Sequence, residues 1–400
     1  MNEKLKFSMV LETDISYGGG TEKTLLFFNK YLNKDEFLVN IFDTNIIDKK
    51  RLSEEELIKI YNLEKTKKII FPKILKNLLY DPKKGISTQK KSISKDLFLF
   101  YSIILKFFSF LIFNRKIRIE LFKSDAIYIL SDYQIFYLVF PWKLILKKFP
   151  KIIFGTHNYL PIERRYINKI ENKMIERFTD AIHYTSPAIY NLSKIHREKD
   201  FIVQSGVETE KFYPEDHKGN IKFLFVGRLV EYKGLKELIK SWELFKEKDV
   251  AELHIVGSGD LENFVRESAS KIKNIIYHGF VPEEELPSIY RQCDIFVFPT
   301  YGIRHDEYFG LVVIEALASG NYVLVGEGMR GIFDYFEKEG ALEYIQYDPE
   351  KICDRMEFAF KNIDSLKSNV LKNLNYIKEN YDWKNISIKF GEKIKNIIKN

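Results

Sequence analysis

The stretch KFLFVGRLVEYKG, residues 222–234, decides the fold class of this 400-residue chain. It predicts a strand over Lys222–Val226, a loop, and then a helix from about Leu235 to Phe245. A short apolar run that leads through a loop into a helix is typical of a parallel sheet covered by helices on both faces. The stretch therefore predicts one strand–loop–helix unit of an α/β protein.

The same alternation extends to both sides of this unit. A first strand is expected at Leu5–Leu11, followed by the Gly18–Gly20 loop and a helix over about Thr21–Leu32. The pattern restarts near residues 205–220, which predicts two doubly wound domains, residues 1–200 and 205–378, with ligands bound where the carboxyl ends of the strands meet a cleft. The other expected strands are Phe37–Asp43, Ala126–Leu130, Lys151–Phe154, Ala181–Thr185, Leu253–Val256, Ile275–Tyr277, Ile295–Phe298 and Tyr322–Val325.

The composition is that of a globular protein whose two halves differ in charge. Hydrophobic residues make up 45% of the chain and charged residues 30%, which excludes disordered and fibrous classes. The formal net charge of +7 comes from 63 basic and 56 acidic side chains. Residues 1–200 hold 36 basic and 23 acidic side chains, a net of +13, and residues 201–400 hold 27 and 33, a net of −6. The halves are therefore expected to meet different partners.

The cysteines and the first residues bear on the cellular compartment. Two cysteines, Cys293 and Cys353, exclude a disulfide framework and a cysteine-based zinc module, and they fit a reducing compartment. The first apolar stretch ends at Leu11, before Glu12 and Asp14, so it predicts a strand rather than a signal peptide. A cytoplasmic location is the resulting expectation.

Two apolar segments leave the relation to membranes open. Leu97–Phe113 (LFLFYSIILKFFSFLIF) is overwhelmingly apolar with Lys106 at its centre, and it follows Asp81–Lys95, a polar, basic stretch expected to be an exposed loop. A buried helix and a helix that dips into a bilayer surface both fit Leu97–Phe113, whereas its length and Lys106 disfavour a span. Phe140–Phe149 (FPWKLILKKF) mixes aromatic, aliphatic and lysine residues as membrane-surface helices do. The basic half is expected either to touch an anionic membrane or to present solvated lysine-rich faces.

A first group of candidate binding residues lies in the loop after Val226. Arg228 and Lys233 are five residues apart on this strand-to-helix loop. Two cations beside a helix N-terminus form a favourable site for a diphosphate. Taken alone, the loop could equally be a solvated basic turn.

A second group lies in the stretch EYFGLVVIEALASG, residues 307–320. Phe309, Gly310 and Leu311 are expected to open a helix whose first amides point at an anion. Glu307 precedes this helix and Glu315 lies just over one turn inside it, where sugar or ribose hydroxyls could donate to their carboxylates. The alternative is an ordinary acidic residue near the first turn and a surface glutamate.

Together these motifs resemble those of the retaining glycosyltransferases of family 4. The loop at residues 226–234 and the two glutamates of the stretch at residues 307–320 are similar to that family's signature, and the whole stretch 307–320 resembles its hallmark motif almost position for position. Ser205–Pro214 (SGVETEKFYP) is similar to its interdomain segment, and Ile255–Gly259 (IVGSG) and His278–Val281 (HGFV) follow in the family's order. The resemblance is dense over about residues 200–340 and thinner over residues 1–200.

The resemblance implies a GT-B fold, in which two Rossmann-like domains face a cleft and the C-terminal one holds most of the nucleotide-sugar. It also implies that the segment 379–400, which begins near Tyr381-Asp382-Trp383, crosses back as a helix to pack on the N-terminal domain.

The resemblance assigns the roles of the family's site residues to the matching positions of this chain. The resemblance implies that Arg228 and Lys233 hold the diphosphate in place of a metal, that Glu315 binds the ribose and that Glu307 approaches the donor sugar. Neither a metal nor another cofactor is expected. The remaining implied donor-binding positions on this side are Gly227, Val281, Phe309, Gly310 and Leu311.

In the N-terminal domain the resemblance implies two further contacts to the donor. Gly19 and Gly20 lie after the first strand, where residues without a Cβ let backbone amides approach a phosphate or sugar closely. His157 follows the strand Lys151–Phe154 and would contact the donor sugar, although a lone histidine at a strand end is otherwise more often structural.

The implied activity is the transfer of a hexosyl group from UDP- or GDP-sugar to a hydroxyl of a sugar or lipid-linked glycan, with retention of configuration. The expected partners are this donor, the glycan acceptor and an anionic membrane surface at its cytoplasmic face. A nucleotide-sugar 2-epimerase shares the GT-B architecture and would act without an acceptor. Nucleic-acid binding would explain the basic half, but the chain contains no recognisable module for it, and the second half is acidic.

Overall fold

The structure is a computed structural model of the chain. It describes residues 3–11, 20–44, 53–63, 66–71, 93–130, 134–156, 168–217, 219–301 and 310–399. The chain divides into two compact units, one formed by Met1–Val203 with Ser387–Asn400 and the other by Gln204–Ile386.

The first unit is built on a seven-stranded sheet in which every pair of neighbouring strands is parallel. Its strands are β1 (Leu5–Val10), β2 (Phe37–Thr44), β3 (Lys67–Ile69), β4 (Ala126–Ile129), β5 (Lys151–Thr156), β6 (Ala181–Tyr184) and β7 (Phe201–Ile202), in the order β3-β2-β1-β4-β5-β6-β7. Its helices are α1 (Gly20–Tyr31), α2 (Glu54–Tyr61), α3 (Ile93–Phe113), α4 (Arg115–Leu121), α5 (Phe140–Ile145), α6 (Asn168–Phe178) and α7 (Pro187–Leu192), with a π-helical turn at Ile135–Val139.

The last helix of the chain, α16 (Trp383–Lys399), completes the core of this unit. Phe390 is fully buried, and its ring lies stacked at 4.0 Å from Phe28 and within 6.0 Å of Phe7. A Cβ on Gly391 would come within 3.1 Å of Leu32, so the helix lies close to the end of α1. The division between the units falls inside α16, between residues 386 and 387.

The second unit is built on a six-stranded, fully parallel sheet in the order β10-β9-β8-β11-β12-β13. Its strands are β8 (Ile221–Val226), β9 (Ala251–Val256), β10 (Ile275–Gly279), β11 (Ile295–Phe298), β12 (Tyr322–Gly326) and β13 (Leu342–Ile345). Its helices are α8 (Leu235–Leu244), α9 (Glu262–Lys271), α10 (Leu286–Arg291), α11 (Leu311–Ala318), α12 (Asp334–Lys338), α13 (Pro349–Lys361), α14 (Ile363–Lys372) and α15 (Leu374–Tyr381), with 3-10 turns at Glu231–Lys233 and Glu327–Met329.

The apolar runs form strands close to their predicted bounds because each is buried on both faces of its sheet. All of Phe223–Val226 and Ile295–Phe298 are buried, for example. Two predictions from the basic half need correction. Ile93–Lys95 belong to α3 and not to the loop predicted over Asp81–Lys95, the rest of which lies outside the described residues. Residues 146–149 of the predicted surface helix at 140–149 are not helical, since α5 ends at Ile145.

Within the described ranges, the helices are too short or too polar for any of them to cross a membrane. The α3 helix, which includes Leu97–Phe113, is 21 residues long.

Candidate functional site

The strand order of the second unit defines one switch point at the carboxyl edge of its sheet. From β8 the chain moves to β9 and β10 on one side and to β11, β12 and β13 on the other. The loops that follow β8 and β11 therefore diverge, and such a crevice is where doubly wound sheets bind ligands. Arg228 and Lys233 lie on the first of these loops and Gly310 lies at the end of the second.

Glycines let the loops at this edge approach one another more closely than other residues would. Gly234 has a φ of 74°, and a Cβ there would overlap with the carbonyl oxygen of Pro299, just after β11. Likewise, a Cβ on Gly257 would overlap with the carbonyl oxygen of Gly227, and one on Gly326 with that of Thr300. The sheet edge is therefore closely packed backbone from which only selected side chains project.

The two predicted cations both contact Tyr232. Arg228, whose side chain is exposed, donates a hydrogen bond from Nη2 to the Tyr232 hydroxyl at 2.6 Å. Lys233 is buried, with Nζ 5.2 Å from the Tyr232 ring centre and 4.6 Å from the ring centre of Phe298, the last residue of β11. An ammonium over aromatic faces is stabilised by their quadrupoles. The structure thus places one exposed and one buried cation around a single tyrosine at the switch point.

The Tyr232 backbone ties this loop to the strand next to it. Its carbonyl oxygen accepts hydrogen bonds from Thr300 Oγ1 at 3.1 Å and from the Tyr301 amide at 3.3 Å. The cation-bearing loop is therefore fixed to the segment that leads from β11 towards α11.

Gly310 caps α11 in the left-handed conformation, with φ 60° and ψ 68°. Among the described residues no side chain caps this helix, so its first N–H groups face whatever lies beyond its N-terminus. Leu311 is the first residue of the helix and is partly exposed. The helix start that the sequence predicted is thus confirmed for its described residues.

Glu315 is held by a tyrosine that the sequence did not indicate. The phenol of Tyr290, on α10, donates to Glu315 Oε2 at 3.0 Å. Burial raises the pKa of Tyr290 well above its usual value of 10, and the Glu315 carboxylate raises it further. Tyr290 therefore remains a proton donor at neutral pH and fixes a partly exposed carboxylate in the first turns of α11.

His278 of β10, just before Val281, the position implied for the nucleotide base, pairs with His254 of β9. His254 Nδ1 is 2.9 Å from His278 Nε2, and His254 Nε2 is 3.0 Å from Glu252 Oε2. The carboxylate requires a proton on His254 Nε2, so the neutral pair has His278 Nε2–H donating to His254 Nδ1. Burial lowers the pKa of both histidines. The Glu252 carboxylate partly offsets this for His254, whereas the His254 imidazole lowers the pKa of His278 further.

Four predicted site residues lie outside the described residues: Gly19, His157, Glu307 and Phe309. Gly20 begins α1, directly after the stretch that follows β1. The strand β5 continues to Thr156, so His157 follows its last residue immediately. Of the other positions, Gly227 and Val281 follow β8 and β10 at the same sheet edge as Arg228 and Lys233.

A cavity of about 480 Å³ lies elsewhere in the second unit. It is lined by the segment 209–214 and by residues of α15 and α16, among them Thr209, Phe212 and Asn375. Neither Arg228, Lys233 nor Glu315 lines it. The candidate site at the carboxyl edge of the sheet is therefore separate from this cavity.

Residues 207–378 match the family model described as "Glycosyl transferases group 1". The matching segment lies within the second unit, so the predicted resemblance to this family of glycosyltransferases is confirmed there.

An uncharacterized glycosyltransferase of Methanocaldococcus jannaschii is 28% identical over 63% of this chain and 69% of its own length. The O-antigen chain mannosyltransferase RfbU of Salmonella typhimurium is 28% identical over 57% of this chain and 62% of its own length. The chain spans between 42% and 69% of the lengths of the first curated relatives that it matches.

Two solved structures share the fold of the whole chain. Sucrose-phosphate synthase from Thermosynechococcus elongatus superposes with a TM-score of 0.72 at 15% identity, covering 99% of this chain and 100% of that one. HepE of Anabaena, solved in complex with UDP, gives a TM-score of 0.69 at 14% identity, covering 98% and 100%. The α/β prediction of two Rossmann-like units of the GT-B class is therefore confirmed.

Proposed function

We propose that this protein is a retaining glycosyltransferase that moves a hexosyl group from a UDP- or GDP-sugar to a hydroxyl of a sugar or lipid-linked glycan. One observation carries the proposal: buried Lys233 and exposed Arg228 flank Tyr232 at the switch point of a sheet that matches the glycosyltransferase family. Two fixed cations, together with the start of α11, which no described side chain caps, suit a diphosphate leaving group.

The names of related proteins support the classes of donor and acceptor. HepE, a structural neighbour, was solved with UDP, and RfbU is an O-antigen chain mannosyltransferase. On this basis we assign the nucleotide to UDP or GDP, the transferred group to a hexose, and the acceptor to a growing glycan.

In the proposed reaction, the bond between the sugar's anomeric carbon and the diphosphate oxygen breaks as the acceptor oxygen bonds to that carbon on the same face. The acceptor proton passes to the departing phosphate, so the products are a glycoside and a nucleoside diphosphate. Arg228 and Lys233 stabilise the negative charge that builds up on the leaving group, the role that a divalent metal has in other transferases. We therefore propose that the reaction needs neither metal nor cofactor.

The other residues bind and orient the donor in this proposal. Glu315, fixed by Tyr290, accepts hydrogen bonds from the ribose hydroxyls. His157 and Glu307 orient the transferred sugar, and the amides at Gly310 and Leu311 meet its phosphate. Gly19, Gly20, Gly227, Val281 and Phe309 complete the proposed donor contacts.

A lipid-linked acceptor would place the enzyme at the cytoplasmic face of a membrane. The excess of basic side chains in residues 1–200, a net of +13, supports this location, since anionic headgroups attract a basic surface.

The decisive experiment compares Lys233→Ala with Lys236→Ala. Lys236 is a nearby lysine that pairs with Glu231 at 2.9 Å, so its loss removes a positive charge without touching the proposed diphosphate site. We expect Lys233→Ala to lose at least about 100-fold in turnover and Lys236→Ala to stay near wild type, with melting temperatures unchanged between the two. Full activity of Lys233→Ala would refute the assignment.

The same assay separates transfer from epimerisation. A labelled sugar nucleotide is incubated with and without a glycan acceptor, after thermal-shift measurements with UDP and GDP identify the nucleotide. Release of nucleoside diphosphate only with acceptor supports transfer, whereas a new sugar nucleotide formed without acceptor would identify a 2-epimerase.

A further inference from the structure

Over its described side chains, the α3 helix buries three polar residues and exposes a row of large apolar ones. Ser102, Lys106 and Ser109 are buried, each no more than 6% exposed. On the solvent side Phe108 is 50% and Ile112 64% exposed. Ile103 and Phe110 are buried as well, so α3 is apolar towards both the core and the solvent. A helix of a water-soluble domain normally exposes its polar residues and keeps its apolar stripe against the core.

Phe113, 58% exposed, is the last residue of α3, and the other exposed apolar residues among its described side chains form a single stripe. They recur at intervals of three or four residues, the spacing that places side chains on one face of a helix. We call this stripe the outer α3 face; it consists of Tyr101, Ile104, Phe108, Leu111 and Ile112.

Lys106, the charge at the centre of the apolar segment, does not interrupt this face. It is 6% exposed and lies with Ser102 and Ser109 on the inward side. The charge that disfavoured a membrane span in the sequence is therefore absent from the surface that solvent reaches.

The end of α5 adds a second exposed apolar group beside α3. Phe107 of α3 and Trp142 of α5 have ring centres 6.2 Å apart, so the two helices are neighbours. Leu144 and Ile145, at the end of α5, are 61% and 73% exposed. Clustered exposed apolar side chains of this kind mark a surface that binds another molecule or a membrane.

Basic side chains accompany both apolar groups. Arg115 and Lys116 follow α3 directly, and Lys147 and Lys148 follow α5, all of them exposed. Apolar side chains with lysine and arginine at their margin match the two layers of an anionic bilayer surface, acyl chains beneath negative headgroups.

We propose that the outer α3 face and the end of α5 dock on an anionic phospholipid bilayer, with the helix lying in the interface and not crossing it. This inference rests on the proposed function only for the membrane location; it uses none of the transfer chemistry. The bilayer is favoured over a second copy of the chain because the margin of the patch is basic and would repel its like.

Vesicle sedimentation tests the proposal with the full-length protein. Large unilamellar vesicles of phosphatidylglycerol and phosphatidylcholine are compared with pure phosphatidylcholine at low salt. The variant Phe108→Gln/Ile112→Gln is matched by Phe358→Gln/Leu371→Gln, which changes two apolar residues of similar exposure on α13 and α14 of the second unit. We expect binding to the anionic vesicles, a loss of at least about tenfold in the first variant and none in the second.

Trp142 gives an independent readout of depth. Of the three tryptophans, Trp242 and Trp383 are buried, and Trp142 alone is partly exposed, next to α3. Lipids brominated in the acyl chain should quench the fluorescence of the wild type and not that of Trp142→Phe.

Three results would overturn the proposal. One is the absence of binding to anionic vesicles at low salt, and another is equal loss in both double variants. The third is a wild type that is dimeric by light scattering, a Phe108→Gln/Ile112→Gln variant that is monomeric, and no vesicle binding by either, which would make the face a self-association surface. Because transfer to a water-soluble acceptor should survive Phe108→Gln/Ile112→Gln, a failure of docking is distinguishable from a failure of the proposed enzymatic activity.

Discussion

The phenol of Tyr290 donates a hydrogen bond to Glu315 Oε2 over 3.0 Å, joining two helices that follow different strands of the second sheet. Tyr290 is fully buried and Glu315 is not, so the bond links the core to the surface on which the donor is proposed to bind. The position of the carboxylate is therefore fixed by the protein before any ligand arrives.

Removing this bond should weaken donor binding without unfolding the protein. In Tyr290→Phe we expect the dissociation constant for the sugar nucleotide to rise about tenfold, since a hydrogen bond to a charged group contributes about 1.5 kcal/mol. Isothermal titration calorimetry measures this constant. The matched control is Tyr322→Phe, which also loses a tyrosine–glutamate bond, to Glu343, but at the amino end of β12. Equal weakening in both variants would contradict a specific role for Tyr290.

The close approach of Gly234 to Pro299 predicts a difference between two glycines of the same conformation. Gly234 and Gly279 have φ values of 74° and 73°, but a Cβ on Gly279 would meet no atom within 4 Å. Gly279→Ala should therefore cost only the left-handed strain of about 1–2 kcal/mol. Gly234→Ala should lose a further 1–3 kcal/mol, roughly, through overlap with the Pro299 carbonyl. Urea unfolding gives both values, and equal losses would show that the loops do not pack as described.

Truncating Phe390 should destabilise the first unit although the residue lies near the other end of the sequence. Its ring is fully buried against Phe28, Phe7 and His183, so Phe390→Ala should lower the free energy of unfolding by about 3–5 kcal/mol. Ile388, two residues earlier, is 58% exposed, and Ile388→Ala should change stability by less than about 0.5 kcal/mol. Chemical denaturation followed by circular dichroism measures the free energy of unfolding of both variants. An unchanged value for Phe390→Ala would contradict the assignment of α16 to the core of the first unit.

The histidine pair predicts a loss of stability on acidification. Burial lowers the pKa of His254 below its usual 6.5, so the unfolded chain binds a proton there more readily than the folded one. Stability is therefore fully present above about pH 7 and falls as the pH drops through 6.5, by at most about 1.4 kcal/mol per pH unit for this residue. A second proton on the pair would set two N–H groups against each other across 2.9 Å.

Thermal unfolding between pH 7.5 and 5.5 measures this effect. The double variant His254→Asn/His278→Asn should show a smaller drop in melting temperature than the wild type over that range. The control His196→Asn removes a histidine bonded to a backbone carbonyl and should retain the wild-type slope. A double variant as sensitive to acid as the wild type would exclude the pair as the cause.

The positions of most strands could be predicted because burial on both sheet faces leaves short apolar runs. Ala181–Tyr184 and Ile295–Phe298 lie within a residue of their predicted bounds. The prediction missed three strands. These are β13, Leu342–Ile345, because Glu343 interrupts its apolar run, and β3 and β7, which are only three and two residues long. Edge strands of this kind are formed by pairing with a neighbour, which local sequence does not encode.

The two cations of the candidate site and the start of its helix could be predicted from the sequence. The residues that contact and position the charged groups of the site could not. Arg228, Lys233 and Gly310 belong to motifs that can be read along the chain. Tyr290 is separated by 25 residues from Glu315, and Phe298 meets Lys233 only because β11 lies next to β8. Strand order is a property of the folded sheet, so these partners could not be inferred from spacing.

The orientation of α3 could not be predicted for a different reason. Ser102, Lys106 and Ser109 are spaced four and three residues apart and share one face, which hydropathy alone would place towards solvent. Only packing shows that Lys106 faces inward and Phe108 outward.

The contribution of α16 to the first unit has a consequence for synthesis on the ribosome. The pocket that Phe28 and Phe7 form for Phe390 stays unfilled while residues 204–386 are being translated. The second unit needs nothing from beyond residue 386 and is free to fold first. The first unit, most of which is synthesised first, therefore cannot complete its core until the last residues of the chain are synthesised. Until then its apolar surface stays exposed to chaperones.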